Sequence, residues 1–134
     1  MGKCERTSLS SKNWPMNISH KKLDSTINFV KSIDITNSWL HFHCAAGKGR
    51  TGLYMVLYDM MRNPDVSLKD ITYRHAMLGS NYLFYLGDED NYKKPLYKEK
   101  AQMTPLLYQY VQENYATDFE ISWSEWLNNN SIIK

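Results

Sequence analysis

The sequence predicts an α/β domain, rich in helix and built around one strand–turn–helix unit. Three observations lead there. Trp39 to His43, "WLHFH", is a short, apolar, β-prone run, and the glycine-rich turn "CAAGKGR" follows it directly. From Thr51, "TGLYMVLYDMMR" is apolar around most of its circumference, the mark of a buried helix. A layered α/β domain places a strand, a tight turn and a packed helix in that order.

The remaining elements follow along the chain. Residues 1–13 are polar and patternless and read as a tail. After Trp14 and Pro15, Ser19 is placed to cap a helix in which Leu23, Ile27 and Val30 recur at helical spacing, until "ITNS" breaks it. Asn63–Pro64 stops the helix that begins at Thr51. Ser67 with Asp70 forms a capping box for "LKDITYRHAML", which Gly79 ends. Asn81 to Tyr92 reads as a loop, with the tyrosines of "NYLFY" expected to pack into the core. Pro95 suits the first turn of a long helix reaching about Tyr115. A second capping box, "SWSE", opens a short amphipathic helix carrying Trp123, Trp126 and Leu127.

With 134 residues, 43% hydrophobic and 13% aromatic, the chain suits one domain with a real core. A net charge of +2 is too small to indicate a nucleic-acid partner. Two cysteines, Cys4 and Cys44, are too few for a disulfide framework, so reduced thiols are expected. No apolar run reaches the length of a membrane span, and "MGKCERTSLS" has no apolar core for a signal peptide. Arg6 stands where a myristoylation motif requires Ser or Thr.

The run "WLHFH" is the only convincing strand. A central strand pairs on both edges, because buried amides and carbonyls left unpaired are costly. Either the polar N-terminus supplies an unexpected partner, or residues 1–134 form part of a larger domain.

The stretch "HFHCAAGKGRT" carries the chemistry. Glycines at 47 and 49 let successive N–H groups curl inward, and the N-terminus of the following helix adds its dipole. That nest suits an anion. The same field lowers the pKa of Cys44 and makes a thiolate available as nucleophile. Arg50 offers a planar fork to two oxygens of a phosphate, and Thr51 can donate its hydroxyl to the sulfur. Read alone, Cys44 would be an ordinary small core residue. A nucleotide-binding loop is excluded, because Lys48 is followed by Gly49 rather than Ser or Thr.

"HCAAGKGRT" matches the HCxxGxxR[ST] signature of the cysteine-dependent, protein-tyrosine-phosphatase-like (PTP-like) superfamily. With "NPDVSLKDI", "YKKPLYKEK" and "YVQENYATDFEISWSEWL", residues 14–134 resemble the C-terminal half of the bacterial PTP-like inositol polyphosphatases, the cysteine phytases. The resemblance implies that Cys44 forms a phosphocysteine and that Arg50 binds the transferring phosphoryl. The loop from Ala45 through Ala46, Gly47, Lys48 and Gly49 would share that task. It further implies that Lys93, Tyr97 and Lys100 contact other phosphates of the substrate. No metal or other cofactor is implied.

The i, i+4, i+7 spacing of Lys93, Tyr97 and Lys100 alone favours a solvated helix face, and the match to the family's pattern reverses that. Lys48 favours polyanionic substrates. His43 is expected to support the loop, whereas His20, His41 and His75 show no ligand spacing. The implied substrate is an inositol polyphosphate or another phosphomonoester. A protein-tyrosine, dual-specificity or phosphoinositide phosphatase and a non-catalytic phosphate-binding remnant are the alternatives. The family's general acid is an aspartate shortly before a Trp-Pro pair. Here "SSKNWP" keeps Trp14 and Pro15 but has Ser11 at the acid position, which implies impaired activity. Asp88, Glu89 and Asp90 have no spacing that marks a substitute. Relatives of this kind are usually exported, and the compartment of this chain is left unassigned.

Overall fold

The computed structural model describes residues 18–132. Cys4, Arg6, Ser11, Trp14, Pro15 and the expected tail lie outside them. Five α-helices are formed, α1 (His20–Ser32), α2 (Arg50–Arg62), α3 (Leu68–Met77), α4 (Lys94–Asn114) and α5 (Trp123–Asn129), with a 3-10 turn at Tyr115–Thr117.

Each helix begins and ends for a local reason. Ser19 is the N-cap of α1, as its position suggests, but its side chain makes no capping bond; its carbonyl accepts from Lys22 and Leu23 instead. Leu23, Ile27 and Val30 face inward and are buried. α2 ends at Asn63, ahead of Pro64, and buries residues on several sides, among them Leu53, Val56, Leu57 and Met60. The Ser67 hydroxyl accepts from the Asp70 N–H at 3.1 Å and donates to the Asp70 carboxylate at 2.8 Å, closing the box on α3. α3 stops two residues before Gly79, whose φ of +101° turns the chain away. Pro95 lies in the first turn of α4, and Pro105 is tolerated inside that helix on its exposed face. Ser122 accepts from the Glu125 N–H at 3.2 Å and caps α5.

The core is helix against helix. α2 packs on α3 and α4, while α1 packs on α5. Tyr110 of α4 is a hub of the aromatic part. Its ring meets Trp123 at 5.6 Å and Trp126 at 5.8 Å between centroids, both edge-on. Its hydroxyl donates to the Ile121 carbonyl at 2.7 Å, which gives the buried phenol a partner.

The expected strand is not formed, and the described residues contain helix and turn but no β-ladder. Trp39 to His43 is nevertheless sorted like a strand. Trp39, His41 and His43 are exposed and stack along one side, at centroid distances of 5.6 and 5.5 Å. Leu40 and Phe42 turn the other way, and Phe42 meets Tyr58 at 5.7 Å. A ladder needs a neighbouring strand to exchange N–H and C=O bonds, and none is present among the described residues. The local preference is expressed and the pairing is not.

A second expectation is corrected in the 81–92 loop. The tyrosines of "NYLFY" are not core residues: Tyr85 is 45% exposed and Tyr82 stacks on Tyr73 near the surface. Leu83 between them is the buried one. Apolar weight alone misleads here, since tyrosine is content with a wet edge.

Candidate functional site

The loop from Cys44 to Arg50 links the Trp39–His43 run to α2. Gly47 has φ +67°, a left-handed turn in which a side chain would be strained. Gly49 is the N-cap of α2 and Arg50 is its first residue. Ala45, Ala46, Gly47 and Lys48 are exposed, Cys44, Gly49 and Arg50 are half-buried, and Thr51 is buried. The loop therefore opens to solvent, with its sulfur at the base.

Cys44 is a free thiol. Partial burial pushes its pKa up, but the Thr51 hydroxyl and the N–H groups of Thr51, Ala46 and Gly47 pull it down further. The balance lies at about 7, against the ordinary 9.0. The buried Thr51 hydroxyl makes no formal hydrogen bond, so it acts on the sulfur as a nearby dipole. The thiolate is thus far more accessible near neutrality than in an ordinary cysteine.

A second wall comes from α4. Lys93 is its N-cap, so the basic triplet begins just before the helix, and Tyr97 and Lys100 follow on it. Lys100 is only 7% exposed. Its Nζ lies 3.7 Å from the point where a Gly49 Cβ would be and 5.0 Å from the centre of the Tyr97 ring. Burial lowers its pKa, and the positive charge of Lys93 lowers it further. Lys93 Nζ stands 5.3 Å from the Tyr92 ring centre. The structure thus brings Lys100 against the Cys44 loop at Gly49, with the Tyr97 ring beside its ammonium and the charge of Lys93 in reach. Asp88, Glu89 and Asp90 are all exposed.

Three residues not singled out in the sequence complete this wall. Ser80 packs against Gly52, where a Cβ would meet the Ser80 Cβ at 3.0 Å. The Asn81 N–H donates to the Lys48 carbonyl at 3.3 Å, tying the loop to the turn after α3. Gly87, at φ +78°, lies under the Tyr97 ring, which also touches Tyr85 at 5.4 Å. Only the glycine after "FYL" carries a sequence signal, and it does not say what the turn is for.

His43 lies exposed against His41 and is not buried beneath the loop. His75, given no role from spacing, is buried and faces Asp59. A groove of about 420 Å³ lies between residues 33–42 and α2, lined by Ile33, Leu40, Phe42, Met55, Tyr58 and His75 among others. It shares no lining residue with the Cys44 loop or the basic triplet. Among the described residues no helix is long and apolar enough to cross a membrane.

Comparison with known proteins adds the following. A model of the PTP-like phytase family, described by inositol hexakisphosphate, matches residues 5–62. The uncharacterised protein AvrBs1.1 of Xanthomonas campestris is 30% identical over 95 residues, covering 69% of this chain and 90% of that protein. The PTP-like myo-inositol phosphatase of Mitsuokella multacida, solved with myo-inositol-(1,3,4,5)-tetrakisphosphate, superposes with a TM-score of 0.77 at 50% identity. That match covers 82% of this chain and 19% of the Mitsuokella chain. A PTP-like phytase of Bdellovibrio bacteriovorus gives a TM-score of 0.72 at 34% identity, over 81% of this chain and 42% of its own. The chain therefore spans less than half the length of these two enzymes.

Proposed function

Because this chain belongs to the PTP-like phytase family, we propose that it binds inositol polyphosphates at the Cys44 loop and hydrolyses their phosphomonoesters slowly, through a phosphocysteine. One observation carries the reading. A thiol with a pKa of about 7 lies at the base of a loop whose N–H groups point at it, and a buried lysine stands against that loop.

The chemistry follows from those groups. The Cys44 thiolate attacks phosphorus, the S–P bond forms and the P–O bond of the ester breaks. Arg50 and the N–H groups of the loop hold the three outer oxygens as charge spreads over them. Thr51 stabilises the sulfur as thiolate before attack and as leaving group when water cleaves the phosphocysteine. Lys93, Tyr97 and Lys100 take a neighbouring phosphate of the same substrate. No step requires a metal.

The departing alkoxide takes its proton from water, a weak acid that makes this step slow. Ser11 stands where the family's aspartate is expected, and serine is no acid at neutral pH. This supports binding with turnover well below that of the longer relatives, and at the limit a phosphate-binding remnant. The test uses the purified 134-residue chain with inositol hexakisphosphate and a chelator. Released phosphate and calorimetric binding are measured on the native chain and on Cys44→Ser. Slow release that Cys44→Ser abolishes, with binding retained, is the expected result. Absence of any binding would sink the reading, and binding without release would leave the remnant.

A further inference from the structure

This inference rests on the function just proposed and concerns a residue outside the loop and the basic triplet. We propose that Gly87 is a positioning residue: by having no side chain, it lets the Tyr97 ring hold the Lys100 ammonium against Gly49. This clamp makes the site prefer anions with several phosphates over inorganic phosphate.

The clamp is a chain of contacts. A Cβ on Gly87 would lie 2.8 Å from Tyr97 Cδ2 and 3.1 Å from Cε2. Carbon atoms do not approach so closely, so any side chain at 87 displaces the ring or unwinds the turn. The φ of +78° at Gly87 disfavours a side chain for a second, independent reason. Tyr97 has little freedom elsewhere, because Tyr85 stands 5.4 Å away and Lys100 Nζ 5.0 Å away over its face.

Lys100 is the part that matters for binding. A lysine ammonium usually reaches water even when its stem is covered. Here the residue is 93% buried, with its ammonium beside the Tyr97 face and the loop at Gly49. Moving Tyr97 removes that face and opens a path to solvent. The three atoms nearest an added Cβ at 87 belong to Tyr97 and Asn91, neither of which is in the loop, so the seat of the first phosphate is expected to stay unchanged. What is lost is the cation that meets a second phosphate.

The experiment compares the native chain with Gly87→Ala and with Gly87→Ala/Tyr97→Ala, after circular dichroism shows each is folded. Calorimetry measures affinity for inositol hexakisphosphate and for inorganic phosphate. Carbon NMR follows the titration of the Lys100 ε-carbon without any ligand. We expect Gly87→Ala to weaken inositol hexakisphosphate about tenfold, the loss of one charge-assisted contact, and inorganic phosphate less than about twofold. The Lys100 titration moves up towards an ordinary lysine, and adding Tyr97→Ala moves that titration no further. Equal loss for both anions, or an unchanged Lys100 titration, overturns the proposal. If the native chain binds no inositol hexakisphosphate, the proposed function fails, and the Lys100 titration alone decides the clamp. If Gly87→Ala does not fold, Gly87→Asn, which tolerates the same φ, takes its place in the same comparison.

Discussion

Asp59 and His75 meet at 2.8 Å across the interface of α2 and α3, the carboxylate Oδ2 against the ring Nε2. Arg74, the preceding residue, donates its Nε to the same oxygen at 2.6 Å and Nη2 to the other. Asn63 donates to Oδ1 at 2.7 Å. Asp59 is the one carboxylate buried within an otherwise apolar helix, and these donors are why it is tolerated. Burial pushes its pKa up, but Arg74, Asn63 and His75 together hold it below the ordinary 3.8.

Asp59→Asn is expected to lower stability by about 2 kcal/mol, less than a fully buried pair because Arg74 is partly exposed. The pH dependence has a definite sign. A carboxylate whose native pKa is depressed stabilises the fold fully above its unfolded value of 3.8 and loses that contribution as pH falls through the lower native value. Urea midpoints measured from neutral to strongly acidic pH should fall steeply below that value in the native chain. The slope should be shallower in Asp59→Asn.

Cys44 should alkylate with iodoacetamide at a rate that rises half-maximally near pH 7 in the folded chain. In urea the midpoint should return to the ordinary 9.0. Thr51→Val removes the hydroxyl dipole and moves the folded midpoint upward. An unchanged midpoint in that variant would show that the backbone N–H groups alone set the thiol.

Much of this was legible in the sequence, and the illegible parts share one cause. α2, α3 and α5 announce their ends through Pro64 and the boxes of Ser67 and Ser122, because capping depends on residues three or four apart. The nucleophile loop is equally local. A strand at Trp39 follows from side-chain preference, and a ladder depends on a partner that preference does not supply. The Asp59–His75 contact joins residues sixteen apart on two helices, and the Asn81 and Gly87 contacts join a turn to elements that precede or follow it. Only packing brings such groups together.

Gly47→Ala is expected to cost about 1 kcal/mol, from φ +67° alone, since nothing stands within 4 Å of the added methyl. Because the Gly47 N–H helps to lower the thiol's pKa, the same variant should also raise the alkylation midpoint. Gly47→Asn should cost less in stability. Thermal midpoints and alkylation profiles of the two variants test both effects.

Ser122→Ala should lower stability by about 1 kcal/mol through loss of the α5 cap. Ser67→Ala should do the same for α3. The two differ in readout. Loss of the Ser122 cap should loosen Trp123 and Trp126 and so change the near-ultraviolet dichroism, whereas Ser67→Ala should leave that signal intact.

Trp39 to His43 has one further consequence. Its side chains already alternate, with Leu40 and Phe42 on the inner side and Trp39, His41 and His43 on the outer. A strand laid along it would find the register fixed, since a slip of one residue would exchange those two sides.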